Sequence, residues 1–595
     1  MARSNSVTGG IGRHEPGIRL YQRARRGIFK KDVQPRLGGY GLDIGDGAHP
    51  GRWVAHLPVI LTGDEGSSGT AAASFISGEW NNIFITSWFS FPSLFSFLAL
   101  PFLTGKPFLP PRTRRSRRKN AYKSSAFSAF VYFVPFVVRL FPVRYGRTSF
   151  LQSLSIRVLG RTTEALRLVS AIAGALTVGC VYLVGRRLFG PRAGTFAALI
   201  LAALHFHIHF SRIGLNNIWD GLWFTLGVGA LCIGWEFNKH WGYLIAGLAL
   251  GFGQYFYVSS RGLFGVLLAG LVFALVSQRQ RLKEALPSIV LMLVAATVVI
   301  LPLAAFYIEQ ANQYLAPMAR VSFLNSIQQS VQLSGEPAWL ILFKRFAAGM
   351  QAYTVTPVAF WYQPETPILR PVFAAFFYLG AVILLLKYED SRSLLLLWLL
   401  SFGVIAGLSD SAIPAAQRYV AAAPACALLA GLGLHGTTEM LETLWQKYRR
   451  VFARFSVLLL VAAMTSDVYF YYVDYYDKDL RNNMRSDGTV AQHVADLVMD
   501  EPEGTQVAFF NQSGGMGYYS IPSIQYLAPQ VKGIDVFDPW SSFDKTSLNG
   551  SHLIFIVLPN RQDDIPTIEV QYPGGQLDSE IAWNGEVLFW VYELP

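Results

Sequence analysis

The stretch "LVSAIAGALTVGCVYLVGRR", residues 168–187, runs from Leu168 to Gly185 without a charge and then ends on two adjacent arginines. At 1.5 Å per residue such a run approaches the ~30 Å of a bilayer's hydrocarbon. Soluble cores rarely need apolar runs of about 20 residues. Here they recur, at 193–210, 219–235, 241–258, 262–277, 287–308, 369–387, 393–409, 419–436 and 455–472. The composition agrees: 52% of the 595 residues are hydrophobic and only 15% are charged, which excludes an ordinary soluble enzyme. A mainly α, polytopic transmembrane bundle follows.

The arginines that close the first run set the orientation. Arg186, Arg187 and Arg192 lie in one connection, Lys239 in the second after it, then Arg279, Arg281 and Lys283, then Lys387 and Arg392, then Lys447, Arg449, Arg450 and Arg454. Every second loop is basic, and by the positive-inside rule those loops are cytoplasmic. Segments 160–167, 211–218, 259–261, 309–368, 410–418 and everything after 473 are therefore expected on the outer face. The net charge of +12 reads as this loop bias and as contact with anionic lipid, so no nucleic-acid partner is expected. Cys180, Cys232 and Cys426 each lie inside an apolar run, as small packing residues, with no disulfide framework or zinc pattern.

The ends differ from the middle. Residues 1–56 form a basic, irregular segment containing "RARRGIFKK" and no span, and no cleavable signal peptide is visible. Residues 83–103 and 126–143 each have the character of a crossing, with "RTRRSRRK" as the basic tip between them. The region 57–475 reads as the transmembrane domain. Beyond it, 476–595 reads as a small extracytoplasmic α/β domain, because "QVAFF", "GIDVF", "SHLIFIVLP" and "VLFWVYEL" are strand-length runs and "TVAQHVADLVMD" has helical periodicity. Within it "NQSGGMGYYS" follows a strand but lacks the spacing of a dinucleotide loop, so no cofactor is expected there.

Several segments, taken in order, resemble bacterial members of glycosyltransferase family 39, which includes protein O-mannosyltransferases and lipid A aminoarabinose transferases. They are "LPVILTGDEG", "GEWNNIFITSWFSFPSLFSF", "GRTTEALRLVSAIAGALTVGCVYLVGRRLFGPRAG", "HFHIHFSRIGLNNIWDGLW" and "AAQRYVAAAPA". The resemblance covers roughly 57–100 and 150–435, and against it 101–149 reads as an insertion. It implies a GT-C architecture in a multi-pass protein of the cell membrane. The activity it implies is transfer of a sugar from a polyprenyl-phosphate carrier, on the extracytoplasmic face, to an acceptor that is a protein, a lipid or a glycan. It also implies that the acidic pair of the first outer loop, here Asp64 and Glu65, holds the catalytic base and its supporting partner. Direct displacement with these groups inverts the anomeric centre.

Such a transfer needs a base for the acceptor's proton and cations for the phosphate leaving group. The outer loops offer Arg212, Arg261 and Arg418, with Arg320 a further candidate, and the planar guanidinium suits phosphate oxygens. Arg212 and Arg418 stand in stretches that match the family pattern. Interface anchoring is the alternative role for each. Asn216, Asn217, Asp220 and His209 are candidate donor or acceptor contacts, with a helix-end cap as the alternative for Asp220. His205 and His209 share a helical face while His207 points away, so at most that pair has the spacing for a divalent metal; packing or hydrogen bonding is the simpler use. Trp80, Trp88 and Trp219 fit an aromatic interface belt. A transporter of lipid-linked sugars is the competing class, but transporters concentrate polar residues at mid-helix, whereas here charge collects in outer loops.

Overall fold

A computed structural model describes residues 147–309, 323–387, 393–408, 414–478, 486–582 and 585–594. Asp64, Glu65, Arg320, the spans expected at 83–103 and 126–143, and the 101–149 insertion apart from its last three residues lie outside them. The described chain forms two compact units, one ending with the helix that reaches Lys478 and one beginning at Ser486.

The first unit is helical. Its elements are α1 (Arg147–Leu159), α2 (Thr163–Phe189), α3 (Pro191–Ala203), α4 (His205–Arg212), α5 (Ile218–Glu236), α6 (His240–Gly253) and α7 (Gly262–Ser277). There follow α8 (Arg279–Glu309), α9 (Phe323–Ser334), α10 (Ala338–Gln351), α11 (Pro371–Leu386), α12 (Ser393–Leu408), α13 (Ala423–Leu444) and α14 (Arg449–Tyr469), the last continuing into a π-helical turn, Phe470–Tyr475. Among the described residues five helices are long and apolar enough to cross a membrane, and six if the bent pair α3–α4 is one span. The chain is a multi-pass membrane protein.

Lipid tails are as apolar as leucine, so helices in a bilayer associate by close packing, which small residues permit. Gly380 of α11 and Gly433 of α13 face each other so closely that a Cβ on Gly433 would run into the Phe376 carbonyl and lie 2.7 Å from the Gly380 nitrogen. Gly185 and Gly194 do the same for α2 and α3, where a Cβ on Gly185 would lie 2.8 Å from the Gly194 Cα. These crossings build one core around α13, whose residues from Ala423 to Leu434 are all buried. At the other extreme α7, α8 and α14 expose Leu268, Val276, Leu293 and Leu458.

The second unit is a five-stranded mixed sheet with α15 (Asp487–Val498), α16 (Pro522–Leu527) and α17 (Ile565–Gln571). Its strands are β1 (Thr505–Phe510), β2 (Lys532–Val536), β3 (His552–Val557), β4 (Gln576–Ile581) and β5 (Val587–Glu593), in spatial order β2-β1-β3-β5-β4. β2, β1 and β3 are parallel, with the central β1 buried along its whole length, whereas β5 and β4 close the sheet antiparallel. The expected fold class, a transmembrane bundle followed by a small α/β domain, is what the chain forms. The glycine-rich loop after β1 is folded on itself. Tyr518 N donates to Asp535 Oδ1 at 2.6 Å, Asn511 Nδ2 donates to Met516 O at 2.8 Å, and a Cβ on Gly517 would lie 2.5 Å from the Asp535 carboxylate. The glycines here admit the protein's own side chains, and an acidic group beside them opposes a phosphate.

Candidate active site

The site begins with a break. α3 and α4 meet at an angle of 59°, with Leu204 extended between them (φ −63°, ψ 116°) and no proline or glycine to cause it. Breaking a helix inside the membrane frees amide groups that need partners. His205 N–H donates to Asp467 Oδ2 at 3.3 Å, a carboxylate on α14 that therefore sits at the positive end of α4. Arg370, at the N-cap of α11, completes the arrangement by donating to Asp467 Oδ1 at 3.4 Å and to Ser466 O at 2.8 Å. Sequence-distant elements thus hold the bend.

The bend aims the histidines. His205 Nδ1 lies 2.8 Å from the Tyr362 hydroxyl, and His209 stacks on the Tyr362 ring at 4.2 Å between centroids. His209 Nε2 is 3.0 Å from Trp361 O, and its Nδ1 is 3.4 Å from the Tyr471 hydroxyl. His207 turns away to Gly174 O of α2 at 3.2 Å. Tyr471 and Tyr475 stack on one another at 5.7 Å within the π turn, a geometry that recurs at functional sites. Burial pushes the Tyr362 phenol well above its ordinary value, and the neighbouring Tyr471 and Tyr475 push the same way, so its hydroxyl keeps its proton. Among the described residues no group of three potential ligands could hold a metal ion.

A second polar group surrounds the first turn of α5. Asp220 is 1% exposed; its Oδ1 accepts from Ser260 Oγ at 2.5 Å, and its Oδ2 has no hydrogen-bond partner among the described residues. The N-cap position of α5 is Asn217 and not Asp220; among the described residues the Asn217 side chain makes no capping bond and its buried Oδ1 has no partner. Asn216 Nδ2 donates to Phe256 O at 2.9 Å, which ties the loop before α5 to the loop after α6. Trp219 stacks on Phe256 at 4.6 Å and is 8% exposed, so it is a buried aromatic instead of the expected member of an interface belt.

The candidate arginines divide between these two groups. Arg261 follows Ser260 directly, in the short 3-10 turn Val258–Arg261. Arg418 ends another 3-10 turn, and two residues later the Val420 carbonyl lies 3.4 Å from where a Cβ on Gly221 would stand, next to Asp220. Both are therefore carried to the first turn of α5, with Asn216, Asn217 and Asp220. Arg212, at the end of α4, donates to the Tyr472 hydroxyl at 3.2 Å with its guanidinium 5.3 Å from that ring, alongside His209.

Sequence reading passed over Arg167, Tyr362, Arg370 and Asp467. Arg167, in the second turn of α2, is fully buried and within electrostatic range of His209. A charge inside an apolar run is costly and was the signal available for Arg370, in 369–387, and Asp467, in 455–472. Tyr362, in the connection 309–368, and Arg167, in the loop 160–167, have nothing local to mark them.

Residues 147–305 match the family model described as dolichyl-phosphate-mannose-protein mannosyltransferase, which bears out over that segment the resemblance read from the sequence. No match is found among curated proteins. Among solved structures, ArnT from Cupriavidus metallidurans bound to undecaprenyl phosphate is 15% identical, covering 75% of this chain and 87% of that one, with a TM-score of 0.43. The archaeal oligosaccharyltransferase AglB from Archaeoglobus fulgidus, in complex with an inhibitory peptide and a dolichol-phosphate, is 16% identical, covering 75% and 66%, with a TM-score of 0.39.

Proposed function

We propose that the chain is a membrane glycosyltransferase of the family 39 type, with GT-C architecture, that moves a sugar from a polyprenyl-phosphate carrier to an acceptor hydroxyl on the extracytoplasmic face. The observation that carries the proposal is the family match over residues 147–305, because that same segment supplies Arg167, His209, Arg212, Asn216, Asn217, Asp220 and Arg261. In the proposed reaction the Asp64 carboxylate takes the acceptor's proton as the acceptor oxygen bonds to the anomeric carbon. The bond from that carbon to the phosphate oxygen breaks with inversion, and polyprenyl phosphate leaves. Glu65 supports Asp64 or orients the acceptor. Arg212, Arg418 and Arg261 take the phosphate, for which a guanidinium's fixed fork is the fitting donor. Asp220, with one carboxylate oxygen held by Ser260 and the other without a partner, is suited to a sugar hydroxyl.

The experiment is incubation of the full-length protein with a panel of polyprenyl-phosphate sugars and candidate acceptors, reading free polyprenyl phosphate. Acceptor-dependent release with one sugar supports transfer. Movement of intact donor across vesicles without release would point to a transporter instead.

A further inference from the structure

At the end of the bundle remote from the histidines, α2, α5 and α6 part to leave a cleft of about 470 Å³. Its walls are apolar, with Leu183 from α2, Leu226 from α5 and Ile245 from α6 among them, and its mouth carries Arg186, Arg187 and Trp241. On α2 the lining spans Cys180 to Arg187, about 10 Å along the axis, and Arg186 stands ~28 Å from Arg167 at 1.5 Å per residue. The cleft is therefore separate from the candidate active site.

Three features say what fills it. Leu183 is 61% and Trp241 44% exposed, so among the described residues the cleft opens to the side of the bundle. Arg186 and Arg187 are both exposed, and among the described residues neither meets a carboxylate. Contrast Arg192 a few residues on, which is bound through both terminal nitrogens to Glu442 at 2.8 and 3.2 Å. Instead the Arg187 guanidinium sits 4.0 Å from the Phe237 ring centre and Arg186 reaches only the Tyr182 hydroxyl at 3.5 Å. Stacking on a ring fixes the plane of a guanidinium while leaving its in-plane donors available. Two cations at the rim of an apolar slot, with an amphipathic indole beside them, complement a molecule that is anionic at one end and hydrocarbon at the other. We infer that the cleft between α2, α5 and α6 is a binding site for an anionic phospholipid, its phosphate held by Arg186 and Arg187 and an acyl chain lying against Leu183, Leu226 and Ile245. A soluble phosphate has no use for the apolar walls.

The test uses full-length protein in phosphatidylcholine vesicles, containing as tracer either brominated phosphatidylglycerol or brominated phosphatidylcholine, and reads the tryptophan fluorescence that Trp241→Phe removes. Quenching of that component should favour phosphatidylglycerol by about fivefold for each arginine, ~25-fold together. The pair Arg186→Gln and Arg187→Gln should bring the preference close to one. Arg281→Gln, at the same end but bound to the Trp235 carbonyl at 2.8 Å outside the cleft, should leave it unchanged. Equal quenching by both lipids in the wild type, or an undiminished preference in the double variant, overturns the site. So does a preference lost with Arg281→Gln, which would mean diffuse charge, or displacement of the tracer by millimolar glycerol phosphate, which would mean a soluble ligand.

Discussion

Asp220→Asn separates a substrate contact from a packing contact. In the fold, Asp220 Oδ1 accepts from Ser260 Oγ and Oδ2 is buried without a partner. An asparagine keeps an acceptor oxygen for Ser260, so the substitution should alter thermal stability by less than about 1 kcal/mol, the size of one neutral hydrogen bond. What it removes is the second carboxyl oxygen. If that oxygen accepts a hydroxyl of the bound sugar, the loss is of one hydrogen bond, about 0.5–1.5 kcal/mol, which is roughly 2- to 12-fold in kcat/KM. Ser260→Ala is the counterpart: it removes the hydrogen bond that the Asp220 side chain accepts and should cost stability, about 1–3 kcal/mol, before it costs activity. The assay is polyprenyl phosphate release alongside thermal unfolding in detergent. Wild-type kcat/KM in Asp220→Asn with unchanged stability would show that Oδ2 meets no substrate, and Asp220 would then be a structural partner of Ser260 alone.

Removing the Tyr362 hydroxyl by Tyr362→Phe takes away the partner of His205 Nδ1, and should lower stability by about 1–3 kcal/mol in the same unfolding measurement. Gly433→Ala forces α11 and α13 apart against the Phe376 carbonyl and should cost at least ~1–3 kcal/mol, read as lost thermal stability; a neutral result would contradict the packing. Arg212→Ala and Arg418→Ala should each weaken donor binding by about 2–4 kcal/mol, with partial recovery on Lys, while Arg281→Ala, away from both sites, leaves donor affinity unchanged. If all three behave alike in binding to a polyprenyl-phosphate ligand, the two arginines are anchors only.

Each apolar run read between 168 and 472 holds a helix, but among the described residues only five helices, or six with the bent pair counted as one span, are long and apolar enough to cross a membrane. The bend at Leu204 was not legible. It is made by a carboxylate 262 residues away that captures the His205 amide, and no local breaker announces it. Asp467 itself stood in the apolar run 455–472, where an unpaired charge calls for an explanation, and its partner Arg370 closes the bend from yet another helix. In the second unit, "QVAFF" and "SHLIFIVLP" became the buried strands β1 and β3, since central parallel strands are apolar on both faces. The edge strand β4, "QLDSEI", escaped notice because an edge is kept polar. The polar groups around α5 were named from their residues, but only the fold joins Asp220 to Ser260 and Asn216 to the Phe256 carbonyl.

Transfer by an acidic base is tested most directly by comparing wild type with Asp64→Asn for acceptor-dependent release of polyprenyl phosphate, at matched expression and with donor binding measured in parallel. The proposed chemistry requires release by the wild type with at least one polyprenyl-phosphate sugar. It also requires a drop of ~100-fold or more in the variant at nearly unchanged donor affinity, as for loss of a general base. Wild-type turnover in Asp64→Asn would contradict it.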